Sequence, residues 1–479
     1  MTAKHAAAAI VATAIAGATS IAWAWEAPTT HAGLAEQAAQ SSALHRRLVM
    51  LGFSQGLYES LTIPPKDAPT LIAALSRMSP SQGYVPDARG RQFAIAWLAA
   101  GAAVADQPPA HAANHFLDVD TGEGLIRPDI GIVERARSLV FARLGRGDLP
   151  AKGMPASEWI TSKENPLGLD GFLDQYAKAV RGQTPGERGR AMAGALVAAG
   201  AMMHVLGDLG APSRVRGDGA AHLERLGAGP DDLGSRFEHV AALAYGRLGV
   251  PAPGRVVTRT RLADFFRADL RGVAANEVRP PGLADWVATH FFSPGTLPED
   301  TRVGSGGTVT PKLARSSPAL PGKLNLMAAT QEGGTTLKDE HGMCLARYEV
   351  EHGVLRFDLD DECLLEQIAV ILPEVAAFET GLLEYLFRGE LAVTFANNRV
   401  QVAARTLALG AGEVEIFAED ARGVRTSVSK AAVTKADDGA ALGAAVTAPA
   451  GSNRLIAVFT GVDLHGERVV AVGAASTAK

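Results

Sequence analysis

Between residue 30 and about residue 248, apolar side chains recur at three- and four-residue spacing, the period of helices that bury one face. The alanine-rich stretches 92–105 and 187–209 carry this pattern most clearly. Residues 251–338 are broken by Pro, Gly and Ser, including Gly-Ser-Gly-Gly at 304–307, and predict a long loop. Helical spacing returns over 363–387 and stops at Arg388-Gly389. After Gly389 the period becomes two. Segments 391–395, 399–402, 413–417, 455–459 and 468–472 alternate and are separated by Gly, Asn and Asp turns, which predicts a small antiparallel β-sandwich.

Composition changes this picture little. A chain of 479 residues exceeds what one hydrophobic core usually supports, so two domains are expected. With 47% hydrophobic and 20% charged residues it is an ordinary globular sequence rather than a disordered or fibrous one. The first 24 residues read as a signal peptide: Lys4 near the start, an apolar Ala/Ile/Val stretch, and small residues at Ala22 and Ala24. Cleavage there would free Trp25 and change the net charge from −5 to −6, because Lys4 is the one charged side chain removed. Neither value attracts nucleic acid or anionic lipid in general. The chain divides into a signal peptide (1–24), a helical domain (25–389, loop-rich over 251–338) and a β-sandwich (390–479), with no membrane span expected after cleavage. Cys344 and Cys363 are the only cysteines, and an oxidising compartment would favour a disulfide between them over two buried thiols.

The candidate chemistry lies in histidines placed beside carboxylates. His204 and Asp208 are four residues apart on a predicted helix and project from one face, a spacing that suits a metal and equally a plain hydrogen-bonded pair. Asp106 closes the preceding alanine-rich helix, and His115 follows in Asn114-His115-Phe116. Ahead of them stands Trp25-Glu-Ala-Pro-Thr-Thr-His31. A free amino terminus offers a nitrogen and an adjacent carbonyl oxygen as a chelating pair, and its pKa of about 8 permits deprotonation when metal is present.

This order resembles the zinc-dependent phospholipase C family and the related single-strand-specific zinc nucleases, over roughly residues 25–390. The resemblance implies an all-α domain with a cluster of three zinc ions, ahead of the β-sandwich read from the period-two segments. It implies that Trp25, His31, Asp106, His115, His204 and Asp208 hold two zinc ions, with Asp208 bridging and Asp106 also handling the attacking water. Two positions depart from the family's third zinc site. Glu238 matches its carboxylate, but Arg214 and Gly234 stand where histidines are expected. Asp218, His222 or His239 are the residues at hand to substitute. Alternatively the permanent charge and planar donors of Arg214, set by Glu238, would face a phosphoryl oxygen in place of the third ion.

The reading that follows is an exported phospholipase C acting on phospholipids or other phosphodiesters, with peripheral contact to a lipid surface. A nuclease is the nearest alternative, disfavoured by the acidic balance and the 6% aromatic content. A zinc-stabilised, non-catalytic surface protein is the other. Two further segments read as structural: 285–293, a helix end packed on the core, and 338–341, a polar turn.

Overall fold

The computed structural model describes residues 28–63, 68–78, 87, 90–126, 150, 152–226, 233–268, 279–304, 309, 311–313, 316–320 and 323–477. The predicted signal peptide and Trp25 lie outside these residues.

The helices that position the site are α1 (Thr30–Ser41), α2 (Leu44–Leu51), α3 (Ala94–Val104), α4 (Leu169–Arg181), α5 (Pro185–Gly207), α6 (Pro212–Val215), α7 (Arg236–Ala244) and α8 (Asp361–Leu386). α5 begins as its sequence dictates. Thr184 and Glu187 close a reciprocal capping box, and Pro185 takes the first helical position, where no amide hydrogen is needed. α3 is buried along its whole length, because Ala, Gly and a few larger apolar residues occupy every side of it. The segment Pro185–Gly210 has the length and apolarity to cross a membrane, yet 94% of its apolar window is buried in the protein, so it serves as a core helix.

Strands correct the expectation of an all-α domain followed by a small antiparallel sandwich; the fold is mixed. Within the presumed helical part, β1 (Thr301–Arg302), β2 (Thr335–Lys338), β3 (Cys344–Glu351) and β4 (Val354–Asp358) form a four-stranded sheet in the order β1-β4-β3-β2. Its β3–β4 hairpin turns at His352-Gly353, both at positive φ, the geometry that matches the twist of the flanking strands. β1 and β2, two and four residues long, fall inside the stretch broken by Pro, Gly and Ser. Cys344 on β3 is disulfide-bonded to Cys363 in the first turn of α8, which clips the sheet to that helix. The bond accords with an oxidising, exported environment. The 285–293 segment packs as expected: Phe291 and Phe292 are buried at the end of the helix Leu283–His290. The 338–341 turn is solvated, with His341 exposed.

The C-terminal strands are β5 (Glu390–Ala396), β6 (Arg399–Arg405), β7 (Leu409–Glu419), β8 (Arg425–Val433), β9 (Val446–Thr447), β10 (Arg454–Asp463) and β11 (Arg468–Ser476). They form one continuous sheet, β8-β7-β10-β11-β5-β6-β9, curled into a near-barrel instead of two stacked layers. β11 and β5 run parallel at Val472 and Glu390, so the sheet is not purely antiparallel. On β10 and β11 the alternation separates two buried faces, whereas on β6 it separates exposed from buried residues. On β10, Leu455, Ala457 and Phe459 enter the core inside the curl, while Ile456 and Val458 join the core of the helices.

Arginines fasten the sheet to the helices. Arg425 on β8 donates to the carbonyls of Val180, near the end of α4, and Leu51, at the end of α2. It also pairs with Glu419 at 2.8 Å. Arg454 donates to the Met50 carbonyl, and Arg188 on α5 donates to the Gly423 carbonyl at 2.9 Å. Arg425 and Arg454 satisfy carbonyls that a helix cannot pair internally, at the end where positive charge is favourable, while Arg188 ties the β7–β8 turn to the first turn of α5. Arg425→Met should therefore lower the unfolding free energy of the full chain by about 2–3 kcal/mol, the scale of buried hydrogen bonds to a charged donor. Urea denaturation measures this, and an unchanged midpoint would show that the guanidinium carries no structural load.

Candidate metal centre

The centre depends on a close crossing of α3 and α5. A Cβ on Gly101 would stand 2.1 Å from the Val197 carbonyl oxygen, and one on Gly200 would stand 1.9 Å from the Leu98 carbonyl oxygen. Only glycine allows two helix backbones so near. The crossing sets the C-terminal ends of the two helices side by side. There the Ala102 carbonyl, in the last turn of α3, accepts a hydrogen bond from His204 Nδ1 at 2.7 Å. Because a carbonyl can only accept, Nδ1 carries the proton and Nε2 is turned toward the carboxylates.

Asp106, two residues past the end of α3, His115, at the end of a short 3₁₀ turn (Pro109–Asn114), and His204 and Asp208 from α5 and the turn after it converge. One ligand atom from each lies within 4.8 Å of all the others. His115 Nδ1 stands 2.7 Å from Asp208 Oδ2 and 3.2 Å from Asp106 Oδ1. His204 Nε2 stands 3.2 Å from Asp208 Oδ2 and 3.4 Å from Asp106 Oδ2, without hydrogen-bond geometry to either. His31, on α1, brings its Nε2 to 3.1 Å from Asp208 Oδ1 and stacks on the His204 ring at 3.8 Å between centroids. The two oxygens of Asp208 thus face different imidazoles. All five side chains are buried.

These residues fit a divalent cation. Both oxygens of Asp106 and the Nε2 atoms of His204 and His115 are buried without a hydrogen-bond partner, an arrangement that costs free energy unless something else satisfies them. Two imidazoles and two carboxylates form a donor set suited to zinc and to other first-row divalent metals. In the metal-free protein a proton serves in the cation's place. Burial alone would discharge His204, but the Asp208 and Asp106 carboxylates override it and raise its pKa to about 10. Burial and then the charge of His204 lower His31 to about 4. Burial works against ionisation of Asp106 too, and His204, foremost among the groups that favour the carboxylate, holds it at about 2.

Arg214 borders the cluster. Its Nη1 is 3.1 Å from Asp208 Oδ2, its Nε donates to Glu238 Oε1 at 3.0 Å, and its guanidinium lies over Phe116 at 5.0 Å. Burial raises the Glu238 pKa to about 7 against the opposing pull of Arg214. Of the three residues considered as substitutes for the missing histidines, the fold brings only His222 here, with its Nδ1 3.7 Å from Glu238 Oε2. Asp218 instead accepts from the Gly295 and Ala221 amides, and His239 is exposed. Gly234 sits on the two-residue strand Leu233–Gly234.

One site residue went unnoticed in the sequence. Glu379 on α8 is buried beside the cluster with neither oxygen hydrogen-bonded. A signal existed: Ile368, Ile371, Leu372, Val375, Leu382, Leu383 and Leu386 trace one apolar face, and position 379 continues its three- and four-residue spacing with a carboxylate.

Two outcomes follow. Gly200→Ala should cost about 1–3 kcal/mol from overpacking against the Leu98 carbonyl and should weaken metal uptake. Wild-type stability together with unchanged uptake would show that the crossing does not hold the centre. In chelator, His204 contributes stability that is fully present below its ordinary pKa of about 6.5 and is lost as pH rises through about 10. The stability difference between wild type and His204→Asn should therefore shrink across that window, and a difference independent of pH would contradict a charged His204. Compared with protein-family models, curated proteins and solved structures, the chain matches none.

Proposed function

We propose that this chain is an exported zinc-dependent phosphodiester hydrolase, with phospholipids of the phospholipase C type as its first substrate class. The observation that carries the reading is the convergence of Asp106, His115, His204 and Asp208 with unpartnered buried donor atoms. The order of these residues along the chain, with His31 against the second oxygen of Asp208, adds support.

Zinc, when bound, supplies positive charge that acidifies a water and neutralises a phosphodiester. Asp106, His115, His204 and Asp208 would hold one ion, and His31 with the free amino group of Trp25 would hold a second. Asp106 keeps both carboxylate oxygens free of a hydrogen-bond partner, whereas Asp208 is engaged by His31, His115 and Arg214. It orients the attacking water and accepts its proton. Arg214, fixed by Glu238, supplies the permanent charge at the position of a third ion.

A specific observation also favours the non-catalytic, zinc-stabilised alternative. Arg214 is only 2% exposed and is engaged by both Asp208 and Glu238, as a structural ion pair would be. One experiment separates the readings: metal analysis of the purified protein, with turnover of phosphatidylcholine and single-stranded DNA measured before and after chelation. The proposal expects about two zinc ions and phosphatidylcholine turnover that chelation abolishes and zinc restores. Turnover of DNA alone would make the protein a nuclease. Bound zinc with no turnover of either would assign the centre a structural role.

A further inference from the structure

Glu379 has no part in the chemistry above, yet an unpaired carboxyl group inside a protein is costly enough to need a reason. It is 1% exposed, and both oxygens lack a hydrogen-bond partner. Its neighbours in sequence offer none: Phe378 is apolar, and the Thr380 hydroxyl is spent on the Ala376 carbonyl. The carboxylate and the His31 ring border the same gap. A Cβ placed on Gly207 would lie 2.4 Å from Glu379 Oε1 and 3.3 Å from His31 Nδ1. Glycine at 207 thus leaves open the space that both side chains border.

The histidines of the centre differ in how their outer nitrogens are treated. His204 Nδ1 is fixed by the Ala102 carbonyl. His31 presents Nε2 to Asp208, while its Nδ1 is buried and unpartnered. A ring that gives its Nε2 lone pair to a cation must carry its proton on Nδ1, and that proton needs a buried acceptor. Among the described residues, Glu379 is the carboxylate beside that gap with free lone pairs.

We propose that Glu379 is the positioning carboxylate of the metal centre: it hydrogen-bonds to His31 Nδ1 and holds the ring with Nε2 aimed at the ion shared with Asp208. The role rests on the metal-binding part of the proposed function. α8 thereby contributes a residue that touches no substrate and acts through His31. The Cys344–Cys363 disulfide anchors the opposite end of the same helix.

The test compares wild type with Glu379→Leu and Glu379→Gln as full-length processed chains. Zinc dissociation constants are measured by competition with a chromogenic chelator, and the ¹⁵N resonance of His31 Nδ1 is followed with and without zinc. Leucine removes the acceptor and leaves an apolar side chain at a buried position, so the fold should hold or gain stability while zinc binding weakens about 10- to 100-fold and the Nδ1 resonance shifts. Glutamine keeps a carbonyl acceptor and should recover most of the affinity. Should the leucine variant fail to fold, Glu379→Met gives the same comparison. An affinity within about twofold of wild type, or an unmoved Nδ1 resonance, would overturn the assignment and leave Glu379 a tolerated buried acid. If wild type takes up no zinc, the proposed function fails by itself. The Nδ1 resonance of the metal-free variants then decides whether Glu379 contacts His31.

Discussion

Everything at the centre depends on how closely α3 can approach α5. The crossing at Gly101 and Gly200 places backbone against backbone, and the ends of the two helices then fall within one hydrogen bond of each other. Alanine, abundant on both helices, keeps the rest of the contact narrow. The same geometry brings Asp106 opposite His204 and fixes the His204 tautomer through a carbonyl the helix cannot pair for itself. Position, tautomer and ligand set thus derive from one packing decision.

The electrostatics follow from that placement. Two carboxylates with no exposed escape must be neutralised, and the buried cluster contains a protonated imidazole and a guanidinium able to do it. A cation at the centre would displace the first of these charges and compete with the second for Asp208. Arg214 is therefore the residue on which the catalytic and structural readings diverge most. Its partners Asp208 and Glu238 come from separate elements, the turn after α5 and the start of α7, so its charge also ties those elements together.

The sequence made the site more legible than the fold. His204 and Asp208 could be read because helical periodicity puts residues four apart on one face. Asp106 and His115 were found by their order along the chain. Glu379 escaped because a single carboxylate in a helical segment looks like any solvated position until the apolar face is traced through it. β1 and β2 escaped because they are two and four residues long within a stretch broken by Pro, Gly and Ser, which reads as loop. The C-terminal alternation located strands correctly but implied two stacked layers. Period two records which residues share a face, and it does not say whether water or a helix covers that face. Ile456 and Val458, packed on the helices, are where the sandwich reading departs from the near-barrel.

The arginines of the curled sheet carry a meaning for how the molecule comes apart. Arg425 and Arg454 stop the ends of α2 and α4, so the last turns of those helices exchange their amide hydrogens only as freely as the sheet allows. The C-terminal region is a fastening of the helical body, joined to it by these hydrogen bonds and by Ile456 and Val458 in the shared core.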